Sequence, residues 1–498
     1  MSTIVFINPS AEKSSLGTAW QSEILPALKG RTNAYSPRLV AMVLAAITPA
    51  EHRFIFIDED IEDVDFGMDA DLVAIAAMTE QSSRAYLVAG EFRKRGITVV
   101  IGGIHAAVAS EEVAAHCDVL MLGEGEHTWP ALLEDFARGE VKPVYNAKDY
   151  PPVEVLISPK VDIINHDAYV SYPIQATRGC PYDCDFCSIK HSSGHRYRMK
   201  PVEQVVREIR EYEKYNKPGI GNTIKKSYFF VDDNLYVNRE YVKELMTAMR
   251  GLNIHWDAQG TINIAQDDEI LTLMAECGCR SLGIGFESIS PETLKEANKP
   301  KVNDIKDYSE AIRNIAKKGI IPTGYFVFGF DTDDVTVFRK TLEFISDSDL
   351  VQALISVLTP YKGTRLYDRL APRVFEVSPY LYNSWNCVFT PQLMTAAQLQ
   401  SGAHWVGKSV SDLEFMKKQL KKFWNYGPWK NNPPLTLFER ILLIYAGFLL
   451  GLRGLWKYQR FAFWAATQKN AADLQTVIWS MRRNEISKAA PKNAKNPE

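Results

Sequence analysis

The sequence predicts an α/β protein built from two successive parallel-sheet units, followed by a mainly helical C-terminal region. Short runs rich in Val and Ile alternate with helix-length segments through residues 1–145 and again through residues 171–370, which is typical of buried parallel strands. The alternation stops near residue 371, where longer helical and aromatic-rich segments take over. Because 498 residues exceed what one core ordinarily supports, two or three domains are expected.

Five apolar runs predict the strands of the first unit, at residues 4–7, 54–57, 72–77, 98–101 and 119–122. We expect a doubly wound, Rossmann-like sheet, in which ligands bind beyond the carboxyl ends of the strands. Glycines at such ends let the backbone approach a large ligand closely, although each of them could instead form a simple turn. The candidate binding residues at these ends are Thr79, Gly102, Gly103, His105, Gly123, Glu124 and Gly125.

Residues 146–170 predict a linker, because they contain three prolines and no sustained period. Beyond them, apolar runs predict six further strands, at residues 172–177, 227–231, 254–258, 281–286, 324–328 and 352–358. Amphipathic stretches such as 202–214 and 304–318 lie between these runs. The pattern fits a partial (β/α)6 barrel with its site at the carboxyl ends of the strands. The candidate site residues there are Asp232, Asp233, Gln259, Glu287 and Gly329.

The loop after the first barrel strand carries the most specific motif in the chain. Residues 178–187 read RGCPYDCDFC, which places Cys180, Cys184 and Cys187 in a C-x3-C-x2-C array. Three thiolates can hold three irons of a four-iron cluster and leave the fourth open, whereas most Fe-S clusters have four cysteine ligands. An open iron indicates that a substrate or cofactor binds the metal directly. Because His191 and His195 follow closely, a structural Cys3His zinc site is the alternative.

The array, with Phe186 before its third cysteine, resembles the signature of the radical S-adenosylmethionine (SAM) superfamily. The resemblance implies that the three cysteines hold a 4Fe-4S cluster and that the open iron binds SAM. An electron from a flavodoxin- or ferredoxin-type donor would then cleave SAM to a 5′-deoxyadenosyl radical. The resemblance also places the barrel strand ends around SAM, with Glu287 the leading candidate for its ribose or methionyl end. Asp232, Asp233 and Glu287 could instead be helix caps.

The first unit resembles the cobalamin-binding domain that is fused to many radical SAM enzymes. The resemblance rests on an apolar strand, the segment GGIHA at residues 102–106 and then DVLMLGEGE at residues 118–126. The D-x-H-x-x-G pattern, whose histidine is a ligand of cobalt, is absent, and Asp60 occupies the histidine position. The resemblance therefore implies cobalamin without that ligand. His105 is a possible substitute, although a histidine in such a loop more often forms hydrogen bonds.

Residues 371–486 are expected to be mainly helical, and residues 487–498 to be a disordered tail. Residues 441–452 form an uncharged apolar run of about 18 Å as a helix, too short for the ~30 Å hydrocarbon core of a bilayer. Nine Lys or Arg residues and several aromatics surround this run. The segment fits a helix buried over the barrel, a peripheral membrane contact or, least well, an RNA surface. The net charge of −3 gives no general argument for nucleic acid, and we expect no nucleic-acid partner.

The chain starts without a secretory signal and its cysteines are sparse, so we expect a cytoplasmic protein. We interpret it as a cobalamin-binding radical SAM enzyme, for which the resemblance implies methylation of an unactivated carbon by cobalamin that a second SAM has methylated. The basic, aromatic C-terminal segment indicates a hydrophobic, lipid-like substrate. Alternatives are ring or C–C bond formation without methyl transfer, a zinc-stabilised binding module, and a tRNA methylthiotransferase, which the lack of a second cysteine cluster disfavours.

Overall fold

The first unit contains one sheet of parallel strands. The computed structural model describes residues 1–11, 36–147, 157–217, 226–299, 303–375 and 377–426. The strands of the first unit are β1 (Thr3–Asn8), β2 (Arg53–Asp58), β3 (Leu72–Ala76), β4 (Thr98–Gly102), β5 (Val119–Leu122) and β6 (Val144–Asn146). Their order across the sheet is β2-β1-β3-β4-β5-β6, so the chain reverses its direction of winding beside β1. In such sheets the ligand cleft lies at this reversal.

Helices cover both faces of this sheet. They are α1 (Leu39–Ile47), α2 (Ser82–Lys94), α3 (Ile104–Val108), α4 (Ser110–Ala114) and α5 (Gly125–Arg138). Successive residues of β1 point to opposite faces of the sheet and enter different hydrophobic cores. Val5 packs in the core that contains Val88 of α2, whereas Phe6 packs in the core that contains Leu44 of α1 and Trp129 of α5. The predicted doubly wound fold is therefore confirmed. The sequence prediction missed β6, a short strand whose only buried residue is Tyr145.

The second unit is a sheet of six parallel strands with helices between them. Its strands are β7 (Ser171–Ile174), β10 (Ser227–Phe230), β11 (Trp256–Gly260), β12 (Cys279–Glu287), β13 (Ile321–Phe328) and β14 (Gln352–Val357). Two short strands outside this sheet, β8 (Thr177–Arg178) and β9 (Arg198–Met199), pair with each other. Its helices are α6 (Ile189–Ser192), α7 (Val202–Glu213), α8 (Arg239–Met249), α9 (Asp268–Glu276), α10 (Pro291–Glu296), α11 (Tyr308–Lys317) and α12 (Val337–Asp347). The order β7-β10-β11-β12-β13-β14 is that of an open barrel, which confirms the predicted class.

The first predicted barrel strand, residues 172–177, is broken in two. Its first part is β7, whereas Thr177 and Arg178 leave the sheet and form β8, which pairs antiparallel with β9. The break occurs because the Asp232 carboxylate accepts hydrogen bonds from the Ala176 and Thr177 backbone N–H groups, which turns the chain outward. The predicted linker also contains short 3-10 turns, at Val161–Ile163 and His166–Ala168.

The described part of the C-terminal region is helical, as predicted. It contains α14 (Ala396–Val410) and α15 (Leu413–Trp424), and α13 (Arg365–Leu370) precedes it at the end of the barrel unit. Leu399 and Val406 of α14 enter the main barrel core, so this helix packs against the barrel. Residues 427–498, including the apolar run 441–452 and the predicted tail, lie outside the described residues. Among the helices that are described, none is long and apolar enough to cross a bilayer.

Candidate active site

A small antiparallel ribbon closes the loop that carries the cysteine array. In this ribbon Arg178 of β8 lies opposite Arg198 of β9, and residues 179–197 between them form the cluster loop. The loop starts at Gly179, whose φ of +88° favours glycine and where a Cβ would overlap the Arg196 carbonyl oxygen. The Gly179 N–H donates to the Asp233 carboxylate at 2.9 Å. The loop is therefore fastened at its base to the carboxyl end of β10.

The three cysteines of the cluster loop are half-buried. Burial raises the pKa of the Cys184 thiol to about 11, against the opposing effect of the nearby Lys299 ammonium. Burial likewise raises the pKa of Cys187 to about 11. Within the described residues, no three His, Cys, Asp or Glu side chains converge on a single ion position. In a 4Fe-4S cluster each cysteine ligates its own iron, so three separated thiols on one loop fit that group.

A buried ion pair lies at the carboxyl end of β12. The Lys299 Nζ is 2.5 Å from Glu287 Oε1 and donates to the Gly285 carbonyl at 3.0 Å. Burial opposes the charge on Lys299, yet the Glu287 carboxylate and the nearby Cys184 leave its pKa raised above the usual range. The pair thus presents both signs of charge beside the cluster loop. The sequence analysis did not identify Lys299, because nothing distinguishes one lysine in the segment ANKPKVN from a surface residue.

Asp232, predicted at the SAM site, has its carboxylate occupied by the protein. The side chain is fully buried and accepts hydrogen bonds from the Thr177 N–H at 2.5 Å and from its hydroxyl at 2.6 Å. Burial raises the pKa of Asp232 to about 7, although these donors oppose the shift. Gln259 donates to the Asp232 carbonyl at 3.3 Å. Asp232 therefore anchors the corner between β7 and β8, a role that neither the ligand nor the helix-cap hypothesis anticipated.

Gly329 and Phe186 also lie in packed surroundings. The Gly329 N–H donates to Asp333 at 3.0 Å, and a Cβ at this position would come within 2.7 Å of Leu399 in α14. The Phe186 ring makes an edge contact with Phe330, with ring centroids 6.1 Å apart. The aromatic residue before the third cysteine thus packs against the barrel core.

A cavity of about 360 Å³ lies between the first unit and the cluster loop. The carboxyl ends of β4 and β5 line one side, including Gly102, Gly103, Gly123, Glu124 and Gly125. The other wall includes Gln175, Arg178, Ser193 and Asp233 from the barrel. At Gly103 φ is +92°, and a Cβ would lie 2.8 Å from the Ala77 backbone nitrogen. We call this space the interdomain cleft. Apolar side chains such as Phe6, Val43 and Trp129 line it together with these glycines, and such a lining fits the cobalamin that the first unit is predicted to bind.

Thr79 and His105 line a second cavity, apart from the glycines with which they were predicted. This cavity of about 380 Å³ is bounded by the first unit and by residues 362–382. The His105 ring lies 2.9 Å from the Tyr86 hydroxyl and 3.3 Å from that of Thr79. Burial lowers the pKa of His105, with Glu112 opposing the shift. Both ring nitrogens are therefore engaged, which fits the hydrogen-bonding alternative for this histidine. Asp60 lies at the carboxyl end of β2.

Four buried charges join the two units beside the interdomain cleft. Arg198 donates from Nη2 to Glu124 Oε1 at 2.5 Å and from Nη1 to Glu124 Oε2 at 2.9 Å. Arg178 contacts Glu124 at 3.0 Å and Glu126 at 2.9 Å. Burial disfavours the charged Arg178, but Glu126 and Glu124 raise its pKa above the usual range. Glu124, which the sequence predicted as a cofactor-binding residue, is thus paired with arginines more than 50 residues away in the chain.

Known proteins resemble this chain across both units. The profile of the Radical SAM superfamily matches residues 174–345, and that of the B12 binding domain matches residues 32–133. A bacteriochlorophyllide d C-8(2)-methyltransferase of Chlorobaculum tepidum is 32% identical over 333 residues, covering 65% of this chain and 74% of that protein. A bacteriochlorophyllide d C-12(1)-methyltransferase of the same organism is 30% identical, covering 74% and 81%.

A solved structure shares the fold. The radical SAM methyltransferase TsrM from Kitasatospora setae, with cobalamin and a 4Fe-4S cluster bound, has a TM-score of 0.60 at 16% identity and covers 84% of this chain and 100% of that chain. The matches assign the cysteine array to a radical SAM domain instead of a zinc-stabilised binding module. Together they show that the chain belongs to the cobalamin-dependent radical SAM methyltransferase family, whose enzymes use a 4Fe-4S cluster, SAM and cobalamin.

Proposed function

We propose that this enzyme methylates an unactivated carbon of a hydrophobic small molecule. The observation that carries the proposal is the wall that the interdomain cleft shares with the cluster loop, formed by Ile189, Ser192 and Ser193. A group bound in the cleft would lie directly against the loop that holds the three cysteines. The two Chlorobaculum tepidum relatives, which by name are methyltransferases of bacteriochlorophyllide d, support methylation as the reaction.

Within this proposal, Cys180, Cys184 and Cys187 hold three irons of the cluster. When bound, the cluster supplies the electron that cleaves SAM, and cobalamin carries the methyl group. The family match supports these ligands, as does the position of all three thiols on one fastened loop. The residues of the first unit that would hold cobalamin are Gly102, Gly103, Gly123 and Gly125, which line the cleft at the strand ends.

Lys299 and Glu287 are proposed to bind the methionyl end of SAM. That end carries one carboxylate and one ammonium group, which matches a buried pair that presents one charge of each sign. The pair lies beside Cys184, whose thiol interacts electrostatically with both side chains. Asp233 and Gln259 remain candidates for the nucleoside, whereas Asp232 serves to fix the corner that starts the cluster loop.

The second cavity is proposed to admit the hydrophobic substrate. Apolar and aromatic side chains form most of its lining, and Thr79, His105, Glu112 and Lys362 form a polar cluster in which each contacts another. Its volume falls in the range of small-molecule sites, about 300–1,000 Å³. An apolar lining with one cluster of polar groups favours a largely hydrophobic molecule that carries one polar region.

The experiment is an anaerobic turnover with SAM whose methyl group carries ¹³C. The purified, reconstituted enzyme is incubated with a reductant and with hydrophobic extracts or defined candidates, and products are analysed by mass spectrometry. Labelled product together with 5′-deoxyadenosine is expected. 5′-Deoxyadenosine with an altered but unlabelled product would overturn methylation and favour ring or C–C bond formation. A Cys184→Ala variant serves as the control for background chemistry.

A further inference from the structure

The ribbon that closes the cluster loop carries an unfavourable pair of charges. Arg178 and Arg198 are directly opposite each other in a ribbon only two residue pairs long. Like charges facing each other across antiparallel strands destabilise the pairing. So short a ribbon also has few hydrogen bonds of its own to hold it. Its closure therefore depends on what neutralises the two guanidinium groups.

Three carboxylates face these two arginines. Asp233 of the barrel unit interacts electrostatically with both, whereas Glu124 and Glu126 of the first unit contact them directly. Glu124 is the residue before α5 and Glu126 lies in its first turn, where the helix dipole favours negative charge. The side chains of Arg198, Glu124 and Arg178 are only 0%, 4% and 13% exposed, so water screens these contacts little. Two arginines and two glutamates form a neutral, buried set. The two glutamates of the first unit thus compensate the positive charge of the two arginines at the base of the cluster loop.

The same residues also form part of the interdomain cleft. Glu124, Glu126 and Arg178 line it, together with Asp233, which accepts the hydrogen bond from Gly179. Any shift of α5 relative to the ribbon would change the cleft and the base of the cluster loop together. The contact is thus a mechanical link between two cofactor sites that lie on different units.

We propose that Glu124 and Glu126 are positioning residues: they order the cluster loop by docking the first unit on the barrel, and so fix the loop relative to the interdomain cleft. Without these carboxylates the two arginines repel, the ribbon opens and the two ends of the cluster loop become mobile, whereas Arg365 still holds its middle through Asp183 and Asp185. The catalytic consequence, which rests on the proposed function, is that SAM cleavage becomes uncoupled from methyl transfer. The structural consequence does not depend on any cofactor.

The first test measures hydrogen exchange of the full-length, metal-free protein by mass spectrometry. In Glu124→Gln, which keeps the side-chain shape, amides at the two ends of residues 179–197 should exchange on the order of tenfold faster or more, since a charged hydrogen bond is lost. Peptides from β3 and β4 should be unaffected. Glu134→Gln, on the exposed side of the same helix, is the matched control and should exchange like the wild type.

Two further variants keep the test decisive. Glu126→Gln removes only one contact to Arg178, so it should fold even where Glu124→Gln does not, and should show a smaller acceleration in the same peptides. The double variant Glu124→Gln/Arg198→Gln removes both buried charges and should exchange more slowly in the loop than Glu124→Gln alone. Unchanged loop exchange in both single variants, or acceleration spread equally over both units, would overturn the proposal.

The second test uses the reconstituted enzyme. In Glu126→Gln the iron content should equal that of the wild type, while the 5′-deoxyadenosine formed per methyl group transferred should rise severalfold. A merely structural role would lower both products in proportion, and such a result would overturn the positioning role. If the wild type transfers no methyl group, the proposed function fails, whereas the exchange measurements still decide whether the glutamates order the loop.

Discussion

Replacing Lys299 by Met tests the assignment of the methionyl end of SAM. The Nζ atom is 2.5 Å from Glu287 Oε1, and the two side chains are only 7% and 11% exposed. Met has a similar length, so the change removes the charge and leaves most of the packing. Two effects follow, one on folding and one on binding, and a matched set of variants separates them.

The folding effect arises because Glu287 is left buried without its partner. Breaking one side of a buried pair costs about 3–5 kcal/mol of unfolding free energy, whereas the double variant Lys299→Met/Glu287→Gln should recover much of it. The binding effect is the loss of one charged hydrogen bond to the carboxylate of SAM. Such a bond contributes about 1.5–3 kcal/mol, so the Kd for SAM should rise about 10- to 150-fold.

The assay is equilibrium binding of SAM to the anaerobically reconstituted protein, with iron content and urea unfolding measured on the same samples. Lys295→Met, on the exposed side of α10, is the control and should change neither quantity. The double variant should fold better than Lys299→Met and yet bind SAM no better. Wild-type SAM affinity in Lys299→Met, with full iron content, would refute the assignment.

Three further changes address the cluster, the cleft and the second cavity. Cys184→Ala should abolish 5′-deoxyadenosine formation and lower the iron content, whereas Cys387→Ala, which removes a buried thiol outside the loop, should retain both; iron analysis decides. Gly103→Ala should cost more than about 1–2 kcal/mol and weaken corrinoid binding, because its φ of +92° and the Ala77 backbone exclude a Cβ. Gly90→Ala, where a Cβ on α2 would meet no other atom, should instead stabilise the protein by about 0.5–1 kcal/mol. Urea unfolding and corrinoid titration compare the two variants. Val377→Trp, in the second cavity, should reduce the amount of methylated product while 5′-deoxyadenosine is still formed, and mass spectrometry measures both. Unchanged amounts of both products would contradict the substrate assignment.

Local patterns in the sequence were sufficient to predict the fold class and to identify the cysteine array. Buried parallel strands are continuous apolar runs, so all five predicted strands of the first unit were found with small differences at their ends. Strand β6 was missed because its three residues bury a single side chain. The first barrel strand was predicted too long because the carboxylate that breaks it, Asp232, lies more than 50 residues further along the chain.

The roles of polar site residues depended on partners that no local pattern contains. Glu124 follows a strand as a cofactor-binding residue would, but two arginines from the other unit occupy its carboxylate. His105 follows strand β4 at the start of α3, where a cofactor ligand would be expected, yet its ring nitrogens are engaged by Tyr86 and Thr79. Lys299 gave no signal, because a lysine becomes unusual only once burial beside Glu287 is known.

The most direct measurement is the iron, sulfide and corrinoid content of protein purified without oxygen and supplied with cobalamin. If the cluster loop holds a 4Fe-4S cluster and the interdomain cleft holds cobalamin, the protein should contain about four irons and about one corrinoid per chain. The same assignment also predicts that Gly103→Ala lowers the corrinoid while leaving the iron unchanged. About four irons without corrinoid would leave the barrel assignment standing, but would contradict methyl transfer through cobalamin in the cleft.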